Sequence, residues 1–321
     1  MRLRLVPQDT SWDFFAWRRV TFGASVVAVI LSLVAWGVIG LNFGIDFLGG
    51  TTIRTESAQP VDVGAYRQAL APLGLGDVAI SEVFDPTFGP ERNVSQIRIQ
   101  AQEGDEAVTP ETIRAVQDAL AAVDPAIAFP SVESVGPKVS GELIWTAILA
   151  VAGAIGAMLV YIWLRFEWQF AVGAVAALVH DVILTVGIFS LLQIRFDQAT
   201  IAALLTVLGY SINDTVVIFD RLRENLIKFK KTPLVDVMNR SVNETLSRTL
   251  MTSGTTLLAL IALLILGSDV IRGFVFAITW GVIVGTYSSV YVAKNVVLML
   301  GVDRDPKSGS EAGTTFANVD A

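Results

Sequence analysis

Cysteine is absent from the 321 residues, and histidine occurs once, at His180. A disulfide framework and a thiolate metal site are therefore excluded, and one imidazole does not build a histidine metal centre. The lack of cysteine selects no redox compartment. Charge is scarce as well. Asp, Glu, Lys and Arg make up 17% of the chain against 53% hydrophobic residues, whereas soluble domains carry roughly a quarter charged residues. That balance describes a membrane protein. The net charge of −7 says little by itself, because the charges are unevenly placed.

What is abundant is long apolar sequence. A bilayer core needs about 20 mostly apolar residues per helix. Six runs qualify: Val20–Leu41, Leu143–Leu164, Phe170–Leu192, Ala199–Phe219, Thr249–Leu266 and Ile271–Leu300. The first is too long for a signal-peptide core and reads as an anchor. Lys and Arg set the expected orientation. Arg2, Arg4, Arg18 and Arg19 precede the first run, Arg165 follows the second, and Arg221, Arg223, Lys228, Lys230, Lys231 and Arg240 follow the fourth. The short loops on the other side offer Arg195 and Arg272. Both termini are expected in the cytoplasm. The expected organisation is a cytoplasmic segment (1–19), an anchor helix (20–41), an outer domain (42–140), a five-helix bundle (141–300) and a disordered tail (301–321).

The outer domain has ordinary soluble composition. "FLGGTTIRTE" reads as a strand and "VDVGAYRQALAPLG" as a helix ending at glycine. "DVAISEVF" and "VSQIRIQAQ" read as strands around the turn-rich "DPTFGPERN". In "TPETIRAVQDALAAV", Thr109 caps and Pro110 takes the first helical turn. "AIAFPSVESVG" closes as a strand. The order β-α-β-β-α-β predicts a ferredoxin-like domain. The fold class expected is thus a polytopic α-helical membrane protein of six transmembrane helices with one α+β domain between helices one and two. The domain carries no nucleophile–base pair, metal cluster or phosphate loop. Contact with a partner or a passing polypeptide is its expected role, with a plain spacer as the bland reading.

Polar groups enter the apolar runs at three places. Asp181 follows His180 in the third run, Asp214 follows Asn213 in the fourth, and Arg248 opens the fifth. A charge near the bilayer centre costs several kcal/mol unless something offsets it. Asp214 stands five residues before Phe219, so at about 1.5 Å per residue it lies roughly 8 Å inside the cytoplasmic boundary. Arg248 on an antiparallel neighbour can reach that depth, and a static structural pair is the competing reading. His180 and Asp181 point about 100° apart on a helix, so adjacency alone does not pair them. Gly153, Gly156, Gly173 and Gly209, with the hydroxyl run Thr249, Thr252, Ser253, Gly254, Thr255 and Thr256, suggest close helix packing.

Four stretches taken in order carry a resemblance: "GIDFLGGT" from Gly44, "HDVILTVGIFSLL" from His180, "LGYSINDTVVIFDRLREN" from Leu208 and "SRTLMTSGTTL" from Ser247. Together they closely resemble the SecF members of the SecD/SecF family, protein-export membrane subunits of the resistance-nodulation-division superfamily. The likeness covers all but the tail. It implies half of a transporter of that type, with SecD as the other half, assisting the SecYEG translocon and, indirectly, SecA. It implies a bacterial inner-membrane location and use of the proton motive force to promote late steps of preprotein translocation. No chemical reaction, cofactor, metal or nucleic acid is implied. Carried over residue by residue, the resemblance gives Asp214 and Arg248 a role in proton-coupled motion, with Asn213 and Asp181 completing the candidate set. Gly44, Asp46, Gly49 and Gly50 form the candidate structural link between membrane and outer domain. Two other readings remain open: a half-transporter exporting a small molecule or lipid, for which one ferredoxin-like unit leaves little pocket, and an intramembrane hydrolase, for which Asp181 and Asp214 are only a formal aspartyl pair.

Overall fold

A computed structural model describes residues 10–57, 59–76, 78–83, 93–100 and 108–302. The expected turn over 85–92, the tail beyond 302, and Arg2 and Arg4 lie outside the described residues. Helix α1 (Arg18–Ile39) is followed by a short α2 (Ile45–Leu48) and then by the α/β domain. That domain runs β1 (Gly50–Ser57), α3 (Val63–Leu70), β2 (Val78–Val83), β3 (Asn93–Gln100), α4 (Pro110–Val123) and β4 (Ala128–Val135). Its antiparallel sheet has the order β2-β3-β1-β4, which is the ferredoxin-like arrangement.

Local chemistry explains these elements. Asp62 accepts a hydrogen bond from the Ala65 N–H at 3.0 Å and starts α3. Thr109 accepts from the Thr112 N–H at 3.2 Å, and Pro110 opens α4. β1 is central, so it is buried along most of its length. Ile53 faces Ile97 across the β1–β3 ladder, and Ile97 faces Ile80 on β2. Tyr66, Leu70, Val116 and Leu120 from the two helices cover Ile53, Ile97 and Ile99. Each such buried side chain is worth about 1.5–3 kcal/mol.

The bundle follows with α5 (Pro137–Arg165), α6 (Trp168–Leu192), α7 (Gln198–Lys228) and α8 (Leu234–Leu266). The last span joins α9 (Asp269–Ser288), a π-helical turn (Ser289–Ala293) and α10 (Lys294–Leu300). Among the described residues, six helices are long and apolar enough to cross a membrane. Helices α7 and α8 outrun the apolar stretches. α8 begins at Leu234, so Arg248 lies inside a 33-residue helix rather than at its start. Its first turns are amphipathic: Val237, Met238 and Val242 are buried, while Arg240 faces outward. Mean hydropathy cannot see such a stretch. Much of the expected basic loop is therefore helix. Two of its charges are matched, with Arg221 and Arg240 reaching Glu244 at 2.7 and 2.8 Å, and Asn225 bonds Ser241 at 3.0 Å.

The glycines at helix crossings differ from those expected. Of the four expected, only Gly173 is crowded, against Val297 and Ala293; Gly153, Gly156 and Gly209 face open space. The close approaches lie at Gly187, where a Cβ would strike Ser32 of α1, and at Gly281, where it would strike Val207 of α7.

Candidate proton-coupling site

Three helices meet at Asp181. Its side chain is fully buried on α6. The Ser211 hydroxyl of α7 and the Ser288 hydroxyl of α9 both donate to its Oδ2, at 2.6 and 2.8 Å. The Nδ1 of His180 lies 3.0 Å from its Oδ1. His180 and Asp181 thus pair although their Cβ atoms diverge, because the imidazole folds back across the helix face. The His180 ring stacks on Tyr287, whose hydroxyl donates to the Thr21 carbonyl of α1 at 2.8 Å. One turn along α7, the hydroxyls of Thr215 and Ser289 are 2.9 Å apart. Every oxygen of the Asp181 carboxylate is engaged, which offsets part of the cost of burying it.

Asp214 is built differently. It too is buried on α7, yet its Oδ2 has no hydrogen-bond partner. Arg248 of α8 acts on it through its charge and Ser253 of α8 through its hydroxyl. No ion pair joins Asp214 to Arg248 in this conformation, and the Arg248 side chain lies on the exposed side of α8. Asn213 is exposed on α7. Ser253 continues the polar line, 2.8 Å from the Thr286 hydroxyl and 3.4 Å from that of Tyr210. Helix spacing puts Asp214 and Arg248 near the same depth, and no ion pair within 4.0 Å joins them. The serines that hold Asp181 were not singled out in the sequence, since lone hydroxyls in apolar runs carry no periodic signal.

The stretch from Gly44 docks on the α6–α7 connection. The Gly44 N–H donates to the Phe196 carbonyl and the Phe196 N–H to the Asn42 carbonyl, both at 2.8 Å. A Cβ on Gly44 would lie 3.0 Å from Arg195 Nε. Asp46 accepts from the Gln198 N–H at the start of α7. Gly49 and Gly50 take φ of 73° and 126°, a region that side chains disfavour, and turn the chain into β1. A hundred residues of outer domain are thus fastened to the helix that carries Asp214.

A family model described as "Protein export membrane protein SecD/SecF, C-terminal" matches residues 115–303. The chain is 67% identical over 321 residues to the protein translocase subunit SecF of Cereibacter sphaeroides, covering 100% of this chain and 99% of that one. The chain belongs to the SecF family. The SecF subunit of Rhodobacter capsulatus is 62% identical, over 99% of this chain and 97% of its own. A second family model, "SecD/SecF GG Motif", matches residues 34–61 and takes in Gly49 and Gly50. Among solved structures, SecDF of Thermus thermophilus, titled a translocon-associated membrane protein, aligns at TM-score 0.80 and 35% identity over 94% of this chain. This chain spans 40% of that longer one. Among the described residues no group of His, Asp and Glu is arranged to hold a metal ion.

Proposed function

We propose that this chain is the SecF-type accessory subunit of a bacterial Sec translocase, and that with SecD it uses the proton motive force to promote late steps of preprotein movement. It catalyses no chemical reaction. The bundle sits in the inner membrane with both termini in the cytoplasm and the α/β domain outside. SecYEG, the preprotein and, indirectly, SecA are its working partners. The observation that carries the reading is the contrast between two buried carboxylates in one bundle. Asp181 is saturated with hydrogen bonds and is the fixed joint. Asp214 keeps an unpartnered oxygen and an arginine within its field but out of contact. It is the proton carrier, and Arg248 is its counter-charge.

The exposed polar groups support a partner bundle. Asn213 on α7 and Arg248 on α8 face outward at membrane depth, where lipid offers no hydrogen bonds. The second half of the transporter, SecD, covers them. When Asp214 takes a proton its pull on Arg248 vanishes. When it releases the proton the pull returns. One elementary charge crossing the membrane is worth about 2.3 kcal/mol per 100 mV, enough to bias a helix movement transmitted through the Asp46–Gln198 contact.

The test is preprotein translocation into inverted membrane vesicles, with and without a proton gradient, for wild type and Asp214→Asn. Asparagine keeps size and polarity but does not titrate. The expected result is normal assembly with loss of the gradient-dependent part alone. An equal response of both proteins to the gradient would make Asp214 a structural group.

A further inference from the structure

Lys294 is 1% exposed, and its Nζ has no hydrogen-bond partner. It opens α10 directly after the π-helical turn, a distortion common at functional positions. Three rings surround the ammonium: Phe15 at 4.1 Å from Nζ to ring centroid, Phe14 at 5.1 Å and Tyr291 at 5.5 Å. Two of these rings come from the segment that precedes α1. That segment is strapped to the first turns of α8 by two asparagines. The Trp12 N–H donates to Asn243 Oδ1 and the Phe14 N–H to Asn239 Oδ1, both at 2.9 Å, and Asn243 Nδ2 donates to the Trp12 carbonyl at 2.8 Å. Ala293 ends the π-helical turn and Val297 lies in α10, and both pack in the same cluster as Phe15. Among the described residues, Asp13 on the strap is the acidic group whose field acts on Lys294. Its Oδ1 instead accepts from the N–H groups of Phe15 and Ala16.

We propose that Lys294 keeps this seat metastable, so that residues 10–17 act as a latch poised to lift from the ends of α8 and α10. The physics is one of competition. Apolar packing of Phe14 and Phe15 and the asparagine hydrogen bonds hold the strap down. Against them stands an ammonium that would make three hydrogen bonds in water and makes none here. Cation–π contacts return only part of that hydration. Lifting the strap gives the ammonium its water back and leaves the asparagines hydrogen-bonded to solvent. A methionine of similar length would fill the cage without that penalty, and buried charges replaced by apolar groups commonly give a more stable closed state. The latch ties the segment before α1 to α8 at Asn243, five residues from Arg248, and it does not rest on the proton reading above.

Hydrogen–deuterium exchange of the full chain in native-membrane nanodiscs reads the strap directly, through the Trp12 and Phe14 amides. In Lys294→Met these amides are expected to exchange about tenfold more slowly than in wild type, and in Lys294→Arg at close to the wild-type rate. A second reading uses the absence of cysteine. A single thiol from Val290→Cys, under Phe14, should react with a maleimide more slowly when position 294 is methionine. Equal or faster exchange in Lys294→Met overturns the proposal. So does failure of that variant to assemble, because the ammonium would then be holding the seat together rather than loosening it.

Discussion

Asp46 and Gln198 are 152 residues apart, and the carboxylate of one caps the helix that the other begins: Asp46 Oδ2 accepts the Gln198 N–H at 2.9 Å. Asp197 caps the same end of α7 through the Thr200 N–H at 3.0 Å. Two acidic groups thus sit on a helix N-terminus, where unpaired N–H groups and the helix dipole favour negative charge. Asp46→Ala should loosen the junction by about 1 kcal/mol. Asp46→Asn, which still accepts the bond, should lose less. Limited proteolysis near residues 193–198 and gradient-dependent translocation check both. Wild-type behaviour of the alanine variant would remove Asp46 from the link.

Asp181 and Asp214 should separate in a stability experiment. Asp181→Ala strips the shared acceptor from Ser211, Ser288 and His180, and bonds to a charged group are worth roughly 1.5–3 kcal/mol each before relaxation. Asp214→Ala removes a carboxylate with one oxygen already unpartnered. Thermal unfolding in detergent should show the larger loss for Asp181→Ala, and the larger loss of gradient response at unchanged abundance for Asp214→Ala. The reverse order would exchange the two roles.

Arg248 gives a charge test. Arg248→Lys keeps the cation and should retain part of the gradient-dependent translocation, while Arg248→Gln should lose it without loss of assembly. Both are compared in the same inverted vesicles. A glutamine variant as active as wild type would remove the counter-charge.

Helix crossings supply a test independent of any proton. A Cβ on Gly187 would come to 2.8 Å from the Ser32 Cα, and one on Gly281 to 2.9 Å from the Val207 Cβ. Gly187→Ala and Gly281→Ala should each cost about 1–3 kcal/mol through overpacking. Gly153→Ala and Gly156→Ala, which meet nothing within 4 Å, should be silent. Thermal unfolding in detergent reads all four, and equal effects would mean that the Gly187 and Gly281 crossings are not close-packed.

Much of the architecture was legible because it depends on local rules. The number of spans follows from apolar length, and the β-α-β-β-α-β order from alternation, caps and turn residues. The helix ends were not legible. Leu234–Ser247 is amphipathic and pairs its charges with α7, so a hydropathy average reads it as loop. Lys294 did carry a signal, a lysine within "YVAKNVV", of the kind that marks an intramembrane ionisable residue. Its cage carried none, because the Phe14 and Phe15 rings come from the far end of the chain.

By itself, then, the chemistry of the chain determined that it is a six-span membrane protein, that one small α+β domain interrupts it, and that carboxylates stand within the third and fourth spans. Tertiary structure decided what those carboxylates meet. Ser288 reaches Asp181 across 107 residues, Asn243 reaches Trp12 across 231, and Ser32 lies against Gly187. Helix periodicity specifies which residues share a face, but the neighbour of that face is chosen by packing of the whole bundle. For that reason a saturated Asp181 and a half-partnered Asp214 look alike in sequence and differ only once the helices are assembled.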